Sequence, residues 1–234
     1  MSKKSQNSQK ESVLECDALT LTYGRKSIFS SLHLQFSAGE IVVLLGENGA
    51  GKSSLLKLLW GYLQPTRGHV LLSGREVHKI PKAQIPFAFG YLSQSSQYPL
   101  GYSVAEYIQM AGYPIGVDFH AQSALFDWVV RDLDLWDLKD RALLDLSGGE
   151  RQRAKCARLW LQACLVSHPL VLLIDEFETH LDTHWKNHIS KIWIDLASQG
   201  SLVILAGHDQ ALYQEMAQEF SEPHRIRFIQ LDNL

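Results

Sequence analysis

"LLGENGAGKSSLLKLL", Leu44–Leu59, joins the end of one apolar run to the start of another across a turn of glycines and small residues. The run before it, "EIVVLLG" (Glu40–Gly46), is continuously apolar, as expected for a strand covered on both faces. The run after it repeats leucine at helical spacing. Between them Gly46, Gly51, Lys52 and Ser53 satisfy G-x-x-x-x-G-K-[ST] in the strand-to-helix setting that motif requires. In such a loop the backbone N–H groups of Gly46, Glu47, Asn48, Gly49, Ala50, Gly51 and Ser54 turn inward around phosphates. Lys52 then reaches the β- and γ-phosphates and Ser53 offers its hydroxyl to Mg²⁺. The stretch predicts a nucleoside triphosphate site in an α/β core. By itself it does not separate a kinase, a GTPase and a motor.

The rest of the chain fits that core. "VLLID" (Val171–Asp175) and "SLVILAG" (Ser201–Gly207) are further apolar runs, which predict a mostly parallel sheet. "VLECDALTLTYG" and "GHVLLSG" alternate apolar and polar residues, which predicts half-exposed strands of an antiparallel β subdomain. From about Pro99 to Leu146 the β-like runs vanish and the period turns helical, with a break at "GYPIG" (Gly112–Gly116). We read residues 99–158 as a helical lobe inserted into a P-loop NTPase core. The opening "MSKKSQNSQKES" is polar with no apolar run behind it, so residues 1–12 read as a disordered tail and 13–234 as a single domain.

Composition narrows the classes. The chain has 234 residues, 46% of them hydrophobic, enough for one large core. A net charge of −3 argues against nucleic acid as the main partner. No stretch approaches about 18 consecutive apolar residues, so no membrane span is expected. Cys16, Cys156 and Cys164 form no disulfide pattern and suit a reducing, cytoplasmic setting.

"VLLIDE" adds a carboxylate at a strand end. Asp175 can hold the Mg²⁺ shell, and Glu176 beside it can orient or deprotonate an attacking water. "LDLSGGERQRAKC" (Leu144–Cys156) adds a helix start. Ser147 and Glu150 form the S-x-x-E capping box, while Gly148 and Gly149 leave first-turn N–H groups open to an anion.

With Leu146–Glu150 ("LSGGE") in place, the sequence resembles the ATP-binding cassette (ABC) ATPases from about Val13 to Leu231, and the family's other landmarks follow in order. The resemblance implies that Tyr23 stacks on adenine. It makes Gln94 in "YLSQ" the glutamine that joins core to helical lobe and approaches Mg²⁺. Asp182 in "HLD" becomes the residue touching an opposite subunit, and His208 in "GHD" the switch histidine near the γ-phosphate. It also implies that two cassettes stack head to tail, with ATP between the phosphate loop of one and Ser147, Gly148 and Gly149 of the other. One departure stands out: the family usually continues with Pro-Thr after the acid pair, where Phe177-Glu178 stands here.

A cassette without membrane helices resembles the ATPase subunit of a bacterial importer. The run "YLSQSSQYPLGYSVAEYIQMAGYP" is similar to cassettes serving iron–siderophore, haem or cobalamin uptake. The expected partners are separate permease subunits and a second copy of the chain, at the cytoplasmic face of the plasma membrane. The alternatives are a cassette of an exporter, or a non-transport ATPase in a regulatory or nucleic-acid-linked complex. Lys52 and Ser147 lie too close in sequence to enclose the long coiled coil of chromosome and repair members.

Other features read blandly. His180, His184 and His188 recur every fourth residue, but His180 falls before the expected helix, so exposed or capping roles are expected over zinc. Cys156 and Cys164 share a helix face and read as small core residues. Arg151, Arg153, Lys155 and Arg158 read as a salt-bridged surface. Tyr98, Tyr102, Tyr107 and Tyr113 fit either a permease contact or core packing.

Overall fold

The computed structural model describes residues 12–94, 101–118, 120, 123–219 and 226–231. In chain order the strands are β1 (Ser12–Tyr23), β2 (Lys26–Ser37), β3 (Ile41–Leu45), β4 (Arg67–Leu72), β5 (Arg75–Glu76), β6 (Phe89–Leu92), β7 (Val171–Asp175), β8 (Leu202–Ala206) and β9 (Ile226–Gln230). The helices are α1 (Lys52–Leu59), the single turn α2 (Ile85–Ala88), α3 (Val104–Gln109), α4 (Ser123–Asp132), α5 (Gly148–Leu165), α6 (Thr183–Ser198) and α7 (Gln210–Glu219).

The strands form two sheets. One is antiparallel in the order β2-β1-β4-β5, and the other is parallel in the order β6-β7-β8-β3-β9. The unbroken apolar runs of β3, β7 and β8 are explained by what covers each face. Ile41, Val43, Leu172, Ile174, Val203 and Leu205 point into a core shared with α3, α4, α5 and α6. Their neighbours Val42, Leu44, Val171, Leu173, Leu202 and Ile204 point the other way, into a core made with α1 and with Leu14, Phe29 and Phe36 of the antiparallel sheet. A strand buried on both sides has no polar face to show, so the alternation seen in β1 and β4 is lost.

Between β6 and β7 the chain builds α3, α4 and α5, joined by short 3₁₀ turns and an isolated bridge between Ser103 and Ala142. Helix α3 opens with a complete capping box, in which Ser103 and Glu106 satisfy each other's backbone N–H groups. Helix α5 returns the chain from this lobe to the sheet. It is buried nearly all round, which makes it the spine between lobe and core.

The basic cluster on α5 is a correction to the sequence reading. Arg153 and Lys155 are buried, and of the expected surface salt bridges Arg153 keeps one, to the exposed Asp134 carboxylate at 3.3 Å. Arg153 donates to the carbonyls of Leu133 and Asp134 at 2.6 and 2.9 Å and lies 4.4 Å from the Trp185 ring centre. These carbonyls sit where α4 ends, so the guanidinium staples the lobe to the spine. A charge count along the sequence cannot distinguish a solvated cation from one that ties off carbonyls.

Candidate nucleotide site

The phosphate loop leaves β3 at its C-terminal end and enters α1 through Gly51, whose φ of 98° is left-handed. Lys52, almost fully buried, turns its Nζ back onto the loop and donates to the carbonyls of Gly46 and Glu47. The Ala50 N–H is spent inside the loop on the Glu47 carbonyl at 3.1 Å. The loop therefore closes around its own lysine, in the place where phosphate oxygens would compete for the ammonium.

A cleft of about 500 Å³ opens over this loop. Glu47, Asn48, Gly49, Gly51, Lys52, Ser53 and Ser54 line one wall, while Gln94, Glu176 and His208 close the other. Strand order explains the convergence. β7 and β3 flank β8, so the residues that follow these strands meet at one edge of the parallel sheet. Ligands of open α/β sheets sit at that edge, beyond the carboxyl ends of the strands.

Asp175 and Glu176 divide the work of the acid pair. Asp175 ends β7 and is 3% exposed, with Oδ1 lacking a hydrogen-bond partner. Burial pushes its carboxyl above the usual range, the Ser53 hydroxyl pulls it down, and the Glu176 charge pushes it up again. A buried, under-satisfied carboxylate beside Ser53 and near Lys52 is the donor set that a hard divalent cation completes. Glu176 has a φ of +51°, which turns its side chain out of the sheet into the cleft. Its Oε2 accepts from Gln94 Nε2, and its Oε1 meets His208 Nε2. The carboxylate is thereby held from both sides.

The backbone around the pair is also held. Gln152, buried on α5, donates to the carbonyls of Glu176 and Phe177 at 3.2 and 2.9 Å. Lys155 donates to the carbonyls of Ser93 and Gln94 at 3.1 and 3.3 Å, and burial lowers its pKa from the ordinary lysine value. Neither residue was singled out for such a role from sequence. Their signal is polarity at positions 152 and 155 among the buried Ala154, Cys156 and Leu159 of the same helix.

The Phe177-Glu178 departure has a structural account. Phe177 is fully buried and packs edge-on against Trp193 and Tyr213, with ring centres 6.3 and 6.5 Å apart. Glu178 is buried as well, and both its oxygens accept hydrogen bonds. The pair fills the core and organises a loop, and it exposes no new charge.

The remaining sequence-predicted residues lie away from this cleft. Tyr23, at the end of β1, is half exposed and is not among the described lining residues. Asp182 caps α6, its Oδ1 accepting the Trp185 N–H at 2.9 Å. Ser147 caps α5 in a complete box: its N–H donates to Glu150 Oε2 at 2.7 Å, and its Oγ accepts the Glu150 N–H at 3.3 Å. Those backbone and hydroxyl hydrogen bonds hold the Glu150 carboxyl below its ordinary range. Gly148 and Gly149 sit against His180, the residue before Leu181 and Asp182. A Cβ on Gly149 would stand 2.9 Å from the His180 carbonyl oxygen, so this glycine is required inside its own chain as well.

The other candidates resolve individually. His188 Nε2 pairs with Asp132 Oδ2 at 2.6 Å, while His184 stacks on His188 with ring centres 6.3 Å apart. Cys156 is fully buried, its thiol pushed up to about 12, whereas Cys164 is only half buried. Of the tyrosine series, Tyr107 belongs to the core, Tyr102 and Tyr113 are exposed at 40% and 81%, and Tyr98 lies outside the described residues. Tyr102 and Tyr113 rim a groove of about 670 Å³ with Glu106, Met110 and Asp118.

Comparison with known proteins agrees with this geometry. The family model described as ABC transporter matches residues 29–178. The chain is 34% identical over 198 residues to the hemin import ATP-binding protein HmuV of Shewanella denitrificans, covering 84% of this chain and 78% of that one. It is 32% identical over 209 residues to the probable siderophore transport system ATP-binding protein YusV of Bacillus subtilis, covering 85% and 72%. A solved structure titled as the ATP-binding subunit of an ABC transporter shares the fold with a TM-score of 0.78 at 21% identity, covering 87% of this chain and 82% of that one. Phosphate loop, strand-end acid pair and capped LSGGE helix thus stand in one P-loop core, and the chain belongs to the ABC transporter family as an ATP-binding cassette ATPase.

Proposed function

We propose that this chain is the ATP-hydrolysing subunit of a bacterial importer for an iron-bearing cargo of the haem or siderophore type. It works with separate permease subunits at the cytoplasmic face of the plasma membrane and as a head-to-tail pair with a second copy of itself. The observation that carries the reading is the Glu176 carboxylate, clamped by Gln94 and His208 opposite the phosphate loop. The names of the relatives support the cargo class.

In this reading the loop amides and Lys52 hold the triphosphate, and Tyr23 stacks on adenine. Ser53, Asp175 and Gln94 would hold Mg²⁺, which supplies charge neutralisation at the β- and γ-phosphates. Glu176 accepts the proton of the attacking water, and Gln94 and His208 fix the direction of that carboxylate. His208 also faces the γ-phosphate. Ser147, Gly148, Gly149 and Asp182 serve the nucleotide of the opposite copy, the helix N-terminus supplying N–H groups and partial positive charge. The groove rimmed by Tyr102 and Tyr113 takes the permease.

The test is complementation of a deletion strain grown on haem or a ferric siderophore as the sole iron source. The wild-type gene restores growth. Glu176→Gln does not, and the purified variant binds ATP while hydrolysing it at least about 100-fold more slowly, the lower end of the range for loss of a general base. A deletion strain that grows normally on both iron sources overturns the cargo. A Glu176→Gln enzyme with wild-type turnover overturns the site.

A further inference from the structure

Glu178 is buried behind the cleft and is not among its described lining residues. Its Oε1 accepts the backbone N–H of His208 at 3.0 Å, and its Oε2 accepts the hydroxyl of Tyr213 at 3.0 Å. Tyr213 is fully buried on α7. A buried carboxylate is costly unless its oxygens are satisfied, and here one donor comes from the β8–α7 turn and the other from α7 itself. Gly207 makes the arrangement possible, because a Cβ there would collide with both the Tyr213 hydroxyl and Glu178 Oε1. Asp209, on the other side of His208, is fixed separately by Lys186 at 2.7 Å and by the Leu212 N–H at 3.1 Å. The His208 backbone is thus pinned on both flanks, and the imidazole keeps only its own two torsions.

We propose that Glu178 is a positioning residue for hydrolysis: it holds the His208 backbone at the point from which the imidazole reaches Glu176. The proposal rests on the roles given above to Glu176 and His208. Burial, and then the facing carboxylate, push the Tyr213 hydroxyl well above its ordinary range, so it stays protonated and remains a donor. Glu178 is therefore a fixed anchor, reached by one amide and one hydroxyl.

The experiment measures steady-state ATP hydrolysis for Glu178→Ala, Glu178→Gln and Tyr213→Phe, each in the wild-type and His208→Ala backgrounds. Binding of a fluorescent ATP analogue and the melting temperature are measured alongside. Glu178→Ala lowers kcat about tenfold or more, the range for misplacing a catalytic group, and leaves KM within about twofold because the phosphate loop is untouched. Glu178→Gln recovers to within about threefold, since its oxygen still accepts the His208 N–H and its amide donates to the Tyr213 oxygen. In the His208→Ala background Glu178→Ala costs less than about twofold further, as expected when one residue acts through the other.

Unchanged kcat in Glu178→Ala overturns the proposal. So does a loss that multiplies with His208→Ala, or one confined to KM. If Glu178→Ala does not fold, Tyr213→Phe carries the same test: a kcat loss of about threefold that vanishes in His208→Ala. Wild-type turnover in both His208→Ala and Glu176→Gln is a different result. It removes the site assignment itself, and the positioning role with it.

Discussion

Asp175 and Glu176 are adjacent in sequence and share a charge, yet backbone geometry gives them opposite surroundings. Asp175 keeps the extended conformation of β7 and stays in the sheet edge, buried and under-satisfied. Glu176 turns left-handed, a conformation costing a non-glycine residue about 1–2 kcal/mol, and so delivers its carboxylate to the cleft. The strain is offset by the Gln152 bond to its carbonyl, by its own N–H on the Ala206 carbonyl at 2.7 Å, and by the two side-chain partners. A buried charge without full compensation opposes folding. Asp175→Asn should therefore raise the melting temperature of the nucleotide-free protein by about 2–4 °C, the equivalent of roughly 1 kcal/mol in a domain of this size. The same variant should lose Mg²⁺-dependent hydrolysis. Calorimetry and an ATPase assay check the pair of outcomes, and a variant that melts below the wild type contradicts this account of the Asp175 environment.

Helix α5 concentrates the same tension between stability and use. Two glycines in its first turn cost roughly 1 kcal/mol each in helix propensity, and an isolated helix would gain by losing them. Gly149→Ala should nevertheless lower the melting temperature by about 2–4 °C, because the added Cβ meets the His180 carbonyl at 2.9 Å. A thermal melt that rises would mean that the His180 loop yields freely. Much of this element was legible in sequence: its cap, its start and its glycines follow from S-x-x-E and from spacing. Likewise the period-two pattern of β1 and β4, and the apolar runs of β3, β7 and β8, announced two sheets of different kind. Most of the phosphate-loop wall of the cleft follows from the motif, because it fixes the backbone there, but Gly46 and Ala50 are not among the described lining residues and the Ala50 N–H is spent on the Glu47 carbonyl. Less legible were β6 and β9, whose short runs carry no clear period, and the fate of Arg153 and Lys155. Cations that satisfy carbonyls look no different in a sequence from cations in solvent. Glu178 escaped for a related reason: the sequence marks it as unusual, but its use depends on Tyr213 and His208, which only tertiary structure brings within 3.0 Å.

At the scale of the whole molecule, the sheet order sets which parts can work together. β8 lies between β3 and β7, so the turn carrying His208 stands between the phosphate loop and the acid pair. Ser147 and its glycines stand outside that cleft, which is why the proposed function needs a second copy. Mixing variants tests this. Lys52→Ala disables the loop. Ser147→Asp keeps a good N-cap residue but sets a carboxylate where the opposite γ-phosphate is to lie. Each variant alone should be inactive. In a mixed dimer both defects fall in one site, and the other site is whole, so turnover or retention of one ATP per dimer should return. A mixture with neither contradicts the paired arrangement.

The same helix has a second set of contacts. Ser147, at its tip, faces outward to the partner's nucleotide in the proposed pair. Gln152 and Lys155, within about two turns of that tip, grip the carbonyls of Glu176, Phe177, Ser93 and Gln94. From Ser147 to Lys155 the chain is about two turns of unbroken helix, so in the proposed pair a push at the cap would be passed to the backbone of the clamped carboxylate. Each copy would then sense the other's fuel through a rigid rod, and an empty site on one side would leave the opposite carboxylate slightly out of true. In the proposed pair, idle hydrolysis by a half-loaded dimer would then be throttled by leverage alone, without a separate inhibitory part.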